Sequence, residues 1–270
     1  MNAPSGVSWG VQDLKVDYGK TKALRRVSLR IQPGVIHAVV GGDGAGKTTL
    51  LRVLAGLGLD TGGIIRIPGA GRIGYVPPNG GVFGDLSVAE NMEFVADAYR
   101  LSGWQPRGAA LLGRAGLDRF GDRLAGRLSG GQRRKLAGSM ALLPEPDLLV
   151  LDEVTTGVDP VSRMDLWRLI ASAAAGGAGV VIATGYLDEA ERAGQVLLLH
   201  EGTQLASGTP QALKEGMRGT VSDVPSPDGH RAWRRGRRWR QWDPDGAGGG
   251  KVTLEDVAIV AELSTEGRAR

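Results

Sequence analysis

Cysteine is absent from the 270 residues, and histidine occurs only as His37, His200 and His230. This excludes disulfides, thiolate zinc centres and cysteine nucleophiles, and leaves too few imidazoles for a rich metal site. No redox or zinc chemistry is expected. Aromatics are sparse, at 5%. No run reaches the roughly 18 apolar residues needed to cross a bilayer. Met1 to Gly10 also lacks the basic start and apolar stretch of a leader. The chain therefore reads as cytosolic, with any membrane association coming through a partner.

What is present is a globular composition. At 41% apolar the chain can bury a sizeable core, enough for one large domain or one domain with an appendage. Disorder and collagen are excluded. Glycine is in excess, 44 residues, about 16% against a usual value of roughly 7%. Glycine outside a collagen period belongs in tight turns or where backbone must approach a ligand. The net charge of +4 is uneven: Arg231, Arg234, Arg235, Arg237, Arg238 and Arg240 stand in one acid-free stretch, and removing these six leaves −2.

Short apolar runs alternate with helical patterns, which predicts an α/β domain with a largely parallel sheet. Strands are predicted at Gln12 to Asp17, Val27 to Ile31, Val35 to Val40, Gly71 to Val76, Leu148 to Leu151, Val180 to Thr184 and Gln195 to His200. Helices are predicted at Lys47 to Leu57, Val88 to Leu101, Gly130 to Leu143 and Val161 to Ala174. Asp159-Pro160 and Thr209-Pro210 each join an N-cap residue to proline at the first helical position. Strand signals vanish between Pro77 and Leu143, so 77–143 reads as a helical insertion within a domain spanning 1–215. From Gly216 to Gly250 the pattern degrades into Pro, Gly, Arg and Trp, which reads as a poorly packed connector. Within 251–270, Thr253 to Asp256 has the form of a capping box opening a final helix.

Gly41-Gly42-Asp43-Gly44-Ala45-Gly46-Lys47-Thr48 matches G-x-x-x-x-G-K-[ST] between an apolar strand and a helix, and Thr49 follows it. Such a loop turns backbone N–H groups onto phosphate oxygens. Lys47 reaches the β and γ phosphates, and the Thr48 hydroxyl is offered to Mg²⁺. The apolar run Leu148 to Leu151 ends in Asp152 and Glu153. Asp152 is the candidate Mg²⁺ ligand and Glu153 the candidate general base, with Lys47 as the second catalytic residue. Upstream of them, Ser129, Gly130, Gly131 and Gln132 follow Leu128 at a helix start, where a hydroxyl and bare backbone could meet phosphate.

These motifs, with Gly157-Val-Asp159-Pro160 behind them, resemble the ATP-binding cassette of ABC transporters in order and spacing over residues 7 to 215. The resemblance implies a P-loop NTPase fold, with a RecA-like, mostly parallel sheet core, antiparallel strands and a helical subdomain. It implies an ATPase that binds ATP and Mg²⁺ in a head-to-tail pair of cassettes. There Ser129 to Gln132 act on the other subunit's nucleotide, and Asp159 belongs to the loop between the sites. On its own, Asp159 is also a sound helix cap. Tyr18 read alone is a core tyrosine; the resemblance implies stacking on adenine. Thr155 to Arg163, Tyr186 to Ala190 and Thr253 to Val257 resemble ABC-2 type exporters such as daunorubicin-resistance pumps. This implies integral-membrane permease partners and a peripheral position on the inner face of the cell membrane. Val82, Phe83 and Leu86 are candidates for the permease contact, or for ordinary core packing.

Two positions depart from the family. Pro78 stands where the family has a glutamine that touches Mg²⁺ and the attacking water, and Gly185 where it has a histidine on the γ phosphate. Loss of one such contact costs on the order of 3 kcal/mol. The expectation is a cassette that binds MgATP and turns it over slowly, as a homodimer or beside a partner with the usual residues. A soluble ABC ATPase acting on ribosomes or DNA is the rival class. It is disfavoured by the single cassette and the lack of sustained heptads between Thr49 and Leu128. The Arg/Trp segment His230 to Trp242 reads first as a solvated connector, then as a contact to anionic lipid, with nucleic acid least favoured.

Overall fold

The computed structural model describes residues 8–227, 229–246 and 250–266. The reading of the first seven residues and of the last four of the final helix lies outside them, as do parts of the 216–250 segment.

The central sheet is built from β3 (Ile36–Val40), β5 (Ile73–Val76), β6 (Leu148–Asp152), β7 (Gly179–Thr184), β8 (Gln195–His200) and β9 (Thr203–Gly208). Their order is β5-β6-β7-β3-β8-β9, parallel throughout except for β9, which runs antiparallel to β8. Every residue of β6 and β7 is buried, because helices or a second sheet cover both faces. The two-residue side-chain period divides those apolar runs between two cores. Leu148, Val150, Val181 and Ala183 face one core with α1 (Lys47–Leu54) and a side sheet. Leu149, Leu151, Val180 and Ile182 face the other. There they meet α2 (Val88–Ala98), α3 (Gln105–Arg114), α4 (Gly130–Leu142) and α5 (Pro160–Ala175).

The side sheet is antiparallel, in the order β2-β1-β4 from β1 (Trp9–Tyr18), β2 (Thr21–Ile31) and β4 (Thr61–Arg66). β1 and β2 are longer than the sequence pattern suggests, because the Gly19-Lys20 turn, with Gly19 at φ +60, closes them into one hairpin. β5 is shorter than expected, since Ala70 to Arg72 forms a 3-10 turn. α1 ends at Leu54 and α2 at Ala98, each three residues early. Between β5 and β6 the chain is helical, with α2, α3 and α4 and one isolated bridge from Ser87 to Leu124. After β7 come the short α6 (Leu187–Ala190) and α7 (Pro210–Glu215), and finally α8 (Leu254–Glu266).

The segment read as a poorly packed connector is instead a folded sheet. β10 (Thr220–Val224), β11 (Ala232–Arg235) and β12 (Arg238–Asp243) pair in the order β10-β12-β11. Val221 and Trp242 pack with Val260 of α8, and the Trp242 indole donates to the Arg218 carbonyl at 2.9 Å. Arg240 points inward beside Trp242 and forks onto the fully buried Asp256 of α8, at 2.5 and 3.2 Å. It also bridges to Asp223 at 3.2 Å. Local pattern misleads here because an inward arginine reads as solvated until its acidic partners, far along the chain, are placed against it. The Thr253/Asp256 capping box forms as read: Thr253 N–H donates to Asp256 at 2.8 Å and Asp256 N–H to the Thr253 hydroxyl at 3.3 Å.

Removing one partner of a buried ion pair strands the other's charge. Asp256→Ala is therefore expected to cost about 3–5 kcal/mol in urea unfolding monitored by tryptophan fluorescence. Glu145→Gln, which touches only an exposed pair with Arg107, is expected to change stability by less than about 1 kcal/mol.

Candidate functional site

At the carboxyl end of β3 the chain enters the glycine-rich loop, and the first turn of α1 closes it. Two glycines are required by geometry. A side chain on Gly41 would collide with the Leu199 carbonyl. Gly46, the cap of α1, holds φ +100, and a Cβ there would sit 2.6 Å from Leu24. Lys47 is buried, and its Nζ donates to the carbonyls of Gly41 at 2.9 Å and Gly42 at 3.1 Å. The same ammonium lies 3.4 Å from the Glu153 carboxylate.

β6 delivers both acids to this point. Asp152 is fully buried and neither carboxylate oxygen has a hydrogen-bond partner among the described residues. Burial pushes its pKa up, and Glu153 adds to the shift, while the neighbouring Thr48, Lys47 and Arg52 oppose it. Glu153 follows in the left-handed region, φ +51, with its N–H donating to Ala183 of β7 at 3.1 Å. A non-glycine residue held there is strained, and such strain gathers at functional sites. It turns the side chain off the end of the strand and onto Lys47.

The cleft at the loop has a volume of about 520 Å³ and reaches from Asp43 through Thr49 to Glu153. Thr21, Lys22 and Arg25 of β2 form its other wall. Sequence reasoning missed these three because the beginning of β2 carries no strand signal of its own. Tyr18 is no core residue: it is 45% exposed at the hairpin end, three positions before Thr21.

Ser129, Gly130, Gly131 and Gln132 are not brought into that cleft. They begin α4, where Ser129 and Gln132 form a reciprocal capping box, 3.2 and 2.9 Å. Gly131 abuts the start of α5: a Cβ there would lie 2.5 Å from the Ser162 hydroxyl and 2.9 Å from Asp159. Asp159 caps α5, accepting from Val161 N–H at 3.1 Å and Ser162 N–H at 3.0 Å. The Ser162 backbone bond in particular holds its pKa below the usual carboxylate range. None of Ser129 to Gln132 lines the cleft at the phosphate loop, although Arg134 of the same helix lies close enough to feel the charges of Glu153 and Asp152.

A further positioning residue escaped the sequence reading. Glu189 is buried and accepts from Thr184 at 2.7 Å, Thr155 at 2.8 Å and Trp167 at 3.3 Å. It ties the end of β7, just before Gly185, to the turn after Glu153. Gly185 and Pro78 are both exposed at strand ends, and a Cβ on Gly185 would meet nothing within 4 Å. In the helical segment, Val82 packs against the core while Phe83 is exposed and meets Phe94 edge-on at 4.6 Å. Asn91 fixes the Phe83 backbone through both its N–H and its carbonyl, each 2.9 Å.

An acid with a raised pKa opposes folding once it ionises. It costs nothing below the unfolded pKa, where both states are neutral, and the cost grows to its full value as pH rises through the folded one. In metal-free, nucleotide-free protein, Asp152→Asn is expected to raise the thermal unfolding midpoint at pH 7. The gain should fade below about pH 4, where wild-type Asp152 is neutral in both states.

The sequence pattern of the ABC transporter family matches residues 24–156. The chain is 40% identical over 217 residues to the probable multidrug ABC transporter ATP-binding protein YbhF of Escherichia coli (strain K12), covering 76% of this chain but 38% of that protein. It is 36% identical to the daunorubicin resistance ATP-binding protein DrrA3 of Streptomyces coeruleorubidus, covering 77% of this chain and 70% of the relative. Nod factor export ATP-binding protein I of Paraburkholderia xenovorans (strain LB400) is 34% identical, with 74% and 70% covered. Among solved structures, one described as the ATP-binding subunit of an ABC transporter superposes with a TM-score of 0.71 at 28% identity, over 77% of this chain and 92% of that one. On these likenesses the chain belongs to the family of ABC transporter ATP-binding proteins.

Proposed function

We propose that this chain is the ATP-binding subunit of an ABC exporter, closing on MgATP as a head-to-tail dimer and driving separate integral-membrane permease subunits. The observation that carries this reading is Asp152, a buried carboxylate with both oxygens unpartnered beside Thr48 at the phosphate loop. A buried anion without a partner is costly, and a cation in that place would repay it. The donor set suits Mg²⁺, which keeps most of its waters and takes one or two protein oxygens plus phosphate. Thr48 and Asp152 would hold it, and the ion when bound would neutralise the β and γ phosphates.

The chain's own groups have distinct tasks in this reading. The backbone of Gly41 to Gly46 and the start of α1 receive phosphate oxygens, and Lys47 turns from the loop carbonyls to the β and γ phosphates. Thr49 lies beside it, and Tyr18, paired across the hairpin with the cleft-lining Thr21, stacks on adenine. Glu153 accepts the proton of the attacking water, and its turned backbone aims it there. Because Ser129, Gly130, Gly131 and Gln132 do not line the chain's own cleft, they serve the nucleotide of a second cassette, alongside Asp159. Phe83 and Phe94 form the exposed apolar surface for a permease, which would place the chain on the inner face of the cell membrane. No helix among the described residues is long and apolar enough to cross it. Pairing of Arg235 with Glu255, Arg238 with Asp223 and Arg240 with Asp256 disfavours anionic lipid as the partner of the arginine-rich sheet.

Pro78 and Gly185 supply no side-chain oxygen or imidazole, so binding should exceed turnover. That also fits a heterodimer in which Ser129 and Gly131 complete a competent site on the partner. Steady-state phosphate release and ATP binding test this. Wild type is expected to turn over slowly, Gly185→His to gain about tenfold or more, and Glu153→Gln to lose at least about a hundredfold while retaining ATP. Fast wild-type turnover would overturn the slow-site reading, and loss of ATP binding in Glu153→Gln would remove its role as base.

A further inference from the structure

Behind the phosphate loop lies a second space, of about 550 Å³, with Lys47, Glu153 and Gly185 on one side. Its other side is α8, which presents Glu255, Ala258 and Glu262. These positions are three and four apart, so they share one helix face. The opposite face carries Leu254, Val257 and Val260 into the protein, and Asp256 locks to Arg240. The helix is thus held without help from Glu255 or Glu262. Their partners are modest: Arg235 at 3.5 Å and His200 at 3.4 Å, at carboxylates 43% and 42% exposed. Nothing from Gly185 fills the gap between them and the loop.

We infer that α8 is a wall of the nucleotide site within the same chain, and that Glu255 and Glu262 make the site select the magnesium complex of a nucleoside triphosphate over the free anion. This rests on the nucleotide-binding reading above. Free ATP brings about four negative charges and its magnesium complex about two, so fixed carboxylates beside the terminal phosphates repel the free form more. The penalty acts through partly solvated space, so salt should screen it. The discrimination needs no contact between α8 and the nucleotide, only the helix's position, which the Arg240 pair fixes.

Isothermal titration calorimetry of ATP on the full chain tests this, in EDTA and in excess Mg²⁺, at low and high NaCl. The double variant Glu255→Gln/Glu262→Gln is compared with wild type and with Glu145→Gln as a charge control. At low salt the double variant should bind free ATP about three- to tenfold tighter and MgATP within about twofold of wild type. The gain should vanish at high salt, and Glu145→Gln should change neither affinity. An unchanged ratio of the two affinities, or equal shifts in both, would overturn selection by α8 while leaving the nucleotide reading intact. No ATP binding by wild type in either buffer would overturn that reading, and this inference with it.

Discussion

The arrangement depends on a carboxylate carried into the interior by an apolar strand. β6 is buried from Leu148 to Asp152, so the acid is withdrawn from solvent, and apart from the Thr48 hydroxyl beside it no side-chain donor is set against its oxygens among the described residues. Such a group raises the energy of the empty site and lowers that of a site holding a cation. The parallel sheet makes the placement possible. β3 and β6 run in one direction with β7 between them, so the glycine-rich loop and both acids leave the sheet at the same edge, where open α/β sheets bind their ligands.

Around that point the structure spends polar groups on position. Glu189 gathers hydroxyls from Thr155 and Thr184 and an indole N–H from Trp167. This network holds the turn after Glu153 against the end of β7, which would otherwise be two loops. The left-handed backbone of Glu153 then sets where its carboxylate points. Pro78 and Gly185 lie just outside this rigid frame, at exposed strand ends.

The C-terminal sheet and α8 change the environment of the site as a whole. A charged pair buried between β12 and α8 is weak support for overall stability, but it is specific about orientation. Here it places one acidic face of a helix beside the phosphate loop. A chain whose nearest neighbours to the site were only solvent and a second cassette would meet its nucleotide differently.

Much of this was legible in the sequence, because the informative signals are local. A glycine-rich loop between strand and helix, an apolar run ending in Asp152 and Glu153, and a capped helix at Ser129 each carry their meaning within a few residues. Their meaning does not depend on what packs against them. What stayed hidden depends on distant partners. The beginning of β2 shows no strand pattern until β1 pairs with it, so Lys22 and Arg25 gave no hint of lining the cleft. Glu189 is an unremarked acid in Tyr186 to Ala190 until three donors converge on it. Arg240 reads as solvated charge until Asp256 and Asp223 meet it. The sequence by itself determined the family, the phosphate loop and the acids at the end of β6. Only the tertiary structure decided that an arginine-rich stretch folds and that α8 faces the site, because burial of a charge is set by partners that no local window contains.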